Sequence, residues 1–243
     1  MKDYLLDLIQ YTYDIGVIEL VKVSGTATET KIAAASADRN VIIYGDFNSP
    51  IAAFEGVFGM PNLSKLKTIL GFDDYGEDST IDIIREVKDG EDGPVRIHFE
   101  TATGDFVNDY RLMMKNAVEG LVNDITFKGA TWHVEFEPTT AGILRLKKQS
   151  QANSEEITFT AKTDNGDLKI YFGDPASHSG NFVFQAGVTG NLTRPWRWPV
   201  KAFLSIMDLP GDKKIRLSDD GVIEVTVDSN LSIWKYLLPA LTK

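Results

Sequence analysis

Apolar residues recur at helical spacing in four stretches of the chain. In DYLLDLIQYTYDIG (3–16) the stripe is Leu5, Leu6, Ile9 and Tyr13. In PNLSKLKTILGF (61–72) it is Leu63, Leu66, Ile69 and Leu70, with Pro61 or Asn62 to start the turn and Gly71 to stop it. PTTAGILRLKKQSQANS (138–154) offers Thr139 or Thr140 as an N-cap and Ile143, Leu144 and Leu146 as apolar contacts. PVKAFLSIMDLPG (199–211) carries Val200, Phe203, Leu204 and Met207 before a Pro210-Gly211 stop. Nearly everything else is β-branched or aromatic with alternation, which predicts strands at 16–25, 40–47, 53–60, 79–90, 94–102, 130–137, 155–163, 167–174, 180–188, 213–221 and 222–229. Asp89-Gly90, Asp92-Gly93, Asn165-Gly166 and Asp220-Gly221 supply the turns between them.

The order is helix, strands, helix, strands, and then the same again, so an internal duplication is the natural inference. The expected fold class is α+β, with two similar domains each carrying two helices on antiparallel sheets. Domain 1 is expected over 1–114 and domain 2 over 130–243. Residues 115–129 between them lack strong periodicity and read as a connector, laid on the surface because Val118, Leu121 and Val122 need burial.

Charge then changes the picture. The chain of 243 residues has 25 Lys and Arg against 35 Asp and Glu, a formal charge of −10, which by itself argues against nucleic acid. The distribution reverses that reading. Windows 61–72, 139–154 and 191–207 hold eight cations, Lys65, Lys67, Arg145, Lys147, Lys148, Arg194, Arg197 and Lys201, and no acid, which leaves −18 on the rest. These windows contain three of the four predicted helices. The N-terminal helix is the exception, because it carries Asp3 and Asp7.

Other features narrow the function classes. No apolar run reaches the length of a membrane span, and Met1-Lys2-Asp3 leads into an amphipathic stretch, so a soluble, unsecreted protein is expected. There is no cysteine, hence no disulfide framework, thiolate nucleophile or Cys-bound zinc, and the sequons at Asn62, Asn191 and Asn230 read as chance. His98, His133 and His178 are isolated, and the chain has no GxGxxG, Walker A, HExxH or nucleophile elbow. No metal or cofactor is expected. The best enzymatic rival is an all-β carbohydrate-active protein, with a carboxylate pair and a sugar platform at Trp196 and Trp198. A strand-rich viral structural protein is the third class.

Four segments, taken in order, carry a resemblance covering nearly the whole chain: MPNLSKLKTILGFDDYGEDSTIDI (60–83), NDYRLMMKNAVEGLV (108–122), TTAGILRLKKQSQANSEEITFTAKTDNGDLKIYFGD (139–174) and PVKAFLSIMDLPGDKKIRLSDDGVIEVTVDSNLSIWKYLLPALTK (199–243). They resemble the DNA sliding clamps of the proliferating cell nuclear antigen type and their T4-like phage relatives. The resemblance implies a DNA-clamp fold without enzymatic activity, closing head to tail as a homotrimeric ring around duplex DNA and tethering a DNA polymerase after a clamp loader has placed it. It also implies a phage origin and action in the host bacterial cytoplasm. DNA would meet Lys65, Lys67, Arg145, Lys147, Lys148 and Lys201, with Arg194 and Arg197 at the edge. Partner proteins would dock on Tyr236, Leu237, Leu238, Pro239 and Ala240, on the connector's Val118, Leu121 and Val122, and on Val41 and Ile42. Ring closure would pair edge strands sought in 161–174 and 101–110.

Overall fold

A computed structural model describes residues 1–88, 90–122 and 127–241. Asp89 of the expected Asp89-Gly90 turn, part of the expected connector and the last two residues of the expected second domain lie outside them. The chain forms two compact units, the first of Met1–Ala37, Ile43–Thr126 and Ser229–Trp234, the second of Asp38–Ile42, Phe127–Asp228 and Lys235–Lys243. Among the described residues no helix is long and apolar enough to cross a membrane.

In the first unit the order is α1 (Lys2–Tyr11), β1 (Leu20–Gly25), β2 (Thr30–Ala35), β3 (Ile42–Phe47), β4 (Gly56–Pro61), α2 (Leu63–Leu70), β5 (Thr80–Lys88), β6 (Glu91–Glu100), β7 (Val107–Arg111), β8 (Met113–Met114) and α3 (Lys115–Leu121). One sheet runs β8-β4-β1-β2-β3 and a second runs β5-β6-β7. The helix α2 forms where its stripe requires: Leu63, Leu66, Ile69 and Leu70 are all buried, and Gly71 closes it by donating its N–H to the Lys67 carbonyl. The helix α1 buries Leu5, Leu8, Ile9 and Tyr11 and packs beside α2. The expected connector begins as α3, a helix weakly signalled by the sequence because it is buried on one side only, through Val118. It lies so close to β4 that a Cβ on Gly59 would sit 2.8 Å from Val118, so glycine is what admits it.

The second unit continues with β9 (Val134–Phe136), α4 (Thr140–Ala152), β10 (Thr158–Asp164), β11 (Asp167–Gly173), β12 (Ser179–Gln185), β13 (Arg197–Pro199), α5 (Val200–Asp208), β14 (Asp212–Ser218), β15 (Val222–Asp228) and β16 (Ser232–Pro239). The residues of β16 up to Trp234 belong to the first unit, and those from Lys235 onward to the second. Within the second unit β14 pairs antiparallel with both β15 and β9, and a four-stranded sheet runs β12-β11-β10-β13. Asn165 (φ 52°) and Gly166 (φ 82°) make the tight β10–β11 turn that the Asn-Gly pair predicts. Thr139 caps α4 by accepting the Gly142 N–H at 3.0 Å. Gly142 lets that helix ride on β12, since a Cβ there would meet the Phe184 carbonyl at 2.5 Å. Leu144, expected as an apolar contact, stays exposed.

Two expectations need correcting. The 161–174 hairpin is not a sheet edge, because β10 and β11 are its two central strands; the edges are β12 and β13. In the other unit β7, inside or beside the 101–110 region, is an edge of its sheet. The apolar run ending at Pro239 is not a tail but the strand β16, with Tyr236, Leu237 and Leu238 buried.

Candidate functional site

In the second unit α4 and α5 cover one face of the four-stranded sheet. Aromatic packing fixes α5 there, with the ring centres of Phe159 and Phe203 5.1 Å apart, those of Phe159 and Trp198 5.9 Å, and those of Phe184 and Phe203 6.1 Å, while α4 is seated on β12 through Gly142. With their apolar stripes turned to the sheet, the helices leave Arg145, Lys148 and Lys201 exposed and Lys147 half-buried. Among the described residues, Arg145, Lys148 and Lys201 have no carboxylate within ion-pair distance, whereas Lys147 is paired with Asp208.

In the first unit α2 exposes Lys65 and Lys67 on the side opposite its buried stripe. Lys65 is likewise without a carboxylate partner among the described residues, and Lys67 is bound to Asp14 at 2.8 Å. The acidic character expected of α1 is halved. Asp7 is 7 % exposed, and its Oδ2 accepts the Ser232 hydroxyl and, at 3.1 Å, the Trp234 indole N–H. Burial pushes the Asp7 carboxyl above its ordinary range, against hydrogen bonds from Ser232, Ser229 and Trp234 that pull it down. Of the two acids of this helix, Asp3 is the exposed one.

Arg194 and Arg197 part company. Arg197 lies opposite Thr160, and Thr160 opposite Tyr171, across β13, β10 and β11. Neighbouring Trp198 and Phe159 point the other way, into the helices, so Arg197 occupies the sheet face away from α4 and α5. Arg194 sits in a loop that the sequence did not show to be anchored. The Asp219 carboxylate accepts the Thr193 N–H at 3.0 Å, the Thr193 hydroxyl at 2.7 Å and the Arg194 N–H at 3.2 Å. The Asp219 carbonyl takes the Trp196 indole N–H at 2.7 Å, and its own N–H donates to His133 Nδ1 at 3.1 Å. Despite partial burial, these donors hold the Asp219 carboxyl below its ordinary value. Trp198 is buried, so Trp196 and Trp198 form no exposed sugar platform.

The partner residues fall into two groups. Val118 and Val122 are buried in the first unit, where Leu121 is 64 % exposed. Leu121 borders an open hollow of about 770 Å³ shared with Tyr13, Val17, Ala35 and Lys67, of which the sequence marked Lys67 as a cation and Tyr13 only as part of an apolar stripe. In the second unit Val41, Tyr236, Leu237 and Leu238 are core residues, and Ile42, Pro239 and Ala240 are half-buried. Residues 240 and 241 are tied down there, with the Ala240 N–H on the Gly221 carbonyl at 2.7 Å and the Leu241 N–H on the Arg197 carbonyl at 2.8 Å. His98 stands apart from both surfaces, its ring between Asp109 (2.9 Å) and Glu100 (3.1 Å), which raises its pKa.

Neither a family model nor a curated protein sequence matches this chain. Solved structures do. The A. fulgidus PCNA, determined with the C-terminal region of FEN-1 bound, superposes with a TM-score of 0.68 at 9% identity, covering 100% of this chain and 95% of that one. PCNA from Thermococcus kodakaraensis gives 0.63 at 14% identity, covering 99% and 95%. The fold is that of the PCNA-type sliding clamps. The resemblance read from the order of elements is therefore a true one at the level of the fold, and it extends over the whole chain. At these identities the clamp fold is carried by burial pattern and topology, since few side chains are held in common.

Proposed function

We propose that this chain is a DNA sliding clamp, a processivity factor that closes as a homotrimer around duplex DNA and tethers a polymerase. It works as a scaffold and not as an enzyme. The observation that carries this reading is the set of exposed cations without carboxylate partners among the described residues, Lys65 on α2, Arg145 and Lys148 on α4 and Lys201 on α5, within a clamp fold whose net charge is −10. Cations gathered on helices suit phosphate contacts, which are sequence-independent, while the acidic remainder discourages DNA from binding elsewhere. Lys67, Lys147 and Arg194 belong to this surface with their partners attached; Arg197 is its weakest member because it faces away from α4 and α5.

We assign domain 1 to 1–114, the connector to 115–129 and domain 2 to 130–243. Head-to-tail closure would use β7 and β12, each with a sheet neighbour on one side only. A clamp loader places the ring, and partner proteins dock through Leu121 and the hollow beside it, with Ile42, Pro239 and Ala240 as the accessible residues of the other segment. A docking tail is supported by the A. fulgidus neighbour, which holds the C-terminal region of FEN-1. The T4-like resemblance supports a phage origin and action in the host bacterial cytoplasm as part of this reading.

The test is charge reversal. Lys65→Glu, Arg145→Glu and Lys148→Glu together should lower polymerase stimulation on primed circular DNA on the order of tenfold or more, because phosphate contacts dominate such affinities, and leave the solution mass unchanged. Stimulation equal to wild type would overturn the assignment.

A further inference from the structure

Two lysines of the cationic helices are already occupied, one in each unit. Lys67 Nζ lies 2.8 Å from Asp14 Oδ1 and 5.9 Å from the centre of the Tyr13 ring. Lys147 is paired with Asp208. The placement is similar: Asp14 sits in a short 3-10 turn, Tyr13–Ile15, just past the C-terminus of α1 and reaches α2, and Asp208 is the last residue of α5 and reaches α4. A carboxylate near the C-terminal end of a helix faces the negative end of the helix dipole. Helix stability therefore accounts for neither aspartate. Both pairs are also exposed to solvent, the regime in which an ion pair is weak and its partners exchange readily. Lys213, which also feels the Asp208 charge, is committed to the Leu209 and Gly211 carbonyls.

We propose that Asp14 and Asp208 are internal competitors for DNA phosphate, pairing with Lys67 and Lys147 in the free protein and giving each one up to a phosphate on the duplex. This rests on the clamp reading above and adds a device to it. A lysine leaving a phosphate would normally be left without a counter-charge until it finds the next one. With a carboxylate at hand it exchanges one partner for another, so the barrier between successive phosphate positions is low and the contact stays weak. Lys65, Arg145, Lys148 and Lys201 supply uncompensated attraction; Lys67 and Lys147 supply contacts that cost little to break. Such a mixture keeps a protein on the duplex without fixing it at one place.

The experiment is equilibrium binding of the full chain to a fluorescein-labelled linear duplex across a range of KCl concentration. Asp14→Asn and Asp208→Asn should each tighten binding at low salt several-fold, because the lysine no longer gives up a carboxylate to reach its phosphate, and the gain should shrink as KCl screens the pair. Lys67→Ala in the Asp14→Asn background should cancel that gain, and Lys147→Ala should do so for Asp208→Asn. Asp3→Asn, which removes an exposed charge from α1 without freeing a lysine, should give a clearly smaller gain. Wild-type affinity at low salt for both asparagine variants overturns the proposal, as does a gain that survives removal of the lysine or is matched by Asp3→Asn. The Lys65, Arg145 and Lys148 reversal in the same assay separates the two levels of argument. If that triple variant binds like wild type the clamp reading itself fails; if it loses binding while the asparagine variants change nothing, only the competitor role is lost.

Discussion

Asp7 combines a charge with a place that resists charge. Its carboxylate is buried under α1 and held by a serine hydroxyl and an indole N–H from residues 225 and 227 positions away. Because burial raises its pKa in the folded state above 3.8, the folded protein binds this proton at a pH where the unfolded chain does not. Linkage then makes the folded state gain stability from this group as pH falls through the folded pKa, the gain being complete below the unfolded one. At neutral pH the cost of the buried charge is fully present. Urea unfolding of wild type and Asp7→Asn at several values between pH 7 and pH 3 should show their difference moving in favour of wild type as pH falls, and levelling off at the acid end. A difference independent of pH would mean that Asp7 does not titrate with folding. The sequence showed Asp7 as an acid on a helix with a polar side. Its burial was not legible, because both donors arrive from the far end of the chain.

Elements were legible where a local rule decides them. The stripe of α2, the Thr139 cap of α4 and the Asn165-Gly166 turn are each set by residues within a few positions of one another. The strand β2 was missed because TKIAAA has little β-branching, and β16 because its alternation, kept from Ser232 to Tyr236, is lost where Leu237 and Leu238 are buried in succession. The exposed cations on α2, α4 and α5 followed from their stripes alone. Arg197 did not, since its direction depends on the phase of a three-residue strand in which Trp198 points inward. The partner segment carries a consequence at this scale. Deleting residues 236–243 removes Tyr236, Leu237 and Leu238 from the core, and losses of about 2–5 kcal/mol for each such side chain would consume the roughly 5–15 kcal/mol that holds a domain together. That deletion should abolish the cooperative unfolding transition, so it cannot report on partner binding. Leu121→Asp is the informative change. At an exposed position it should alter stability by no more than about 0.5 kcal/mol, and removal of a docking anchor should cut polymerase stimulation on the order of tenfold or more. A Leu121→Asp protein with wild-type stimulation would move the docking surface away from α3.

At the scale of the whole molecule, two sheets present edge strands, β5 and β7 in the first unit and β12 and β13 in the second, and the proposed closure uses β7 and β12. An exposed edge is a template for further pairing, and soluble proteins cover it, blunt it or use it. β7 shows no blunting by proline or lysine along VNDYR, and its first residue, Val107, is 47 % exposed. Pairing β7 of one copy with β12 of the next covers both edges and is heterologous, so a rotation that closes gives a ring. For three copies of 26.9 kDa the mass in solution should be about 81 kDa by light scattering at micromolar concentration. Val107→Lys places a charge on that edge and should shift the population to about 27 kDa without changing the circular dichroism, because Val107 contributes little to the core. Stimulation of the polymerase should fall in step with the loss of trimer, since a phosphate contact that is weak enough to slide retains DNA only inside a closed ring. A wild-type protein that stayed at 27 kDa at every accessible concentration would remove the ring from the proposal, and a Val107→Lys trimer as firm as wild type would show that closure does not run through β7.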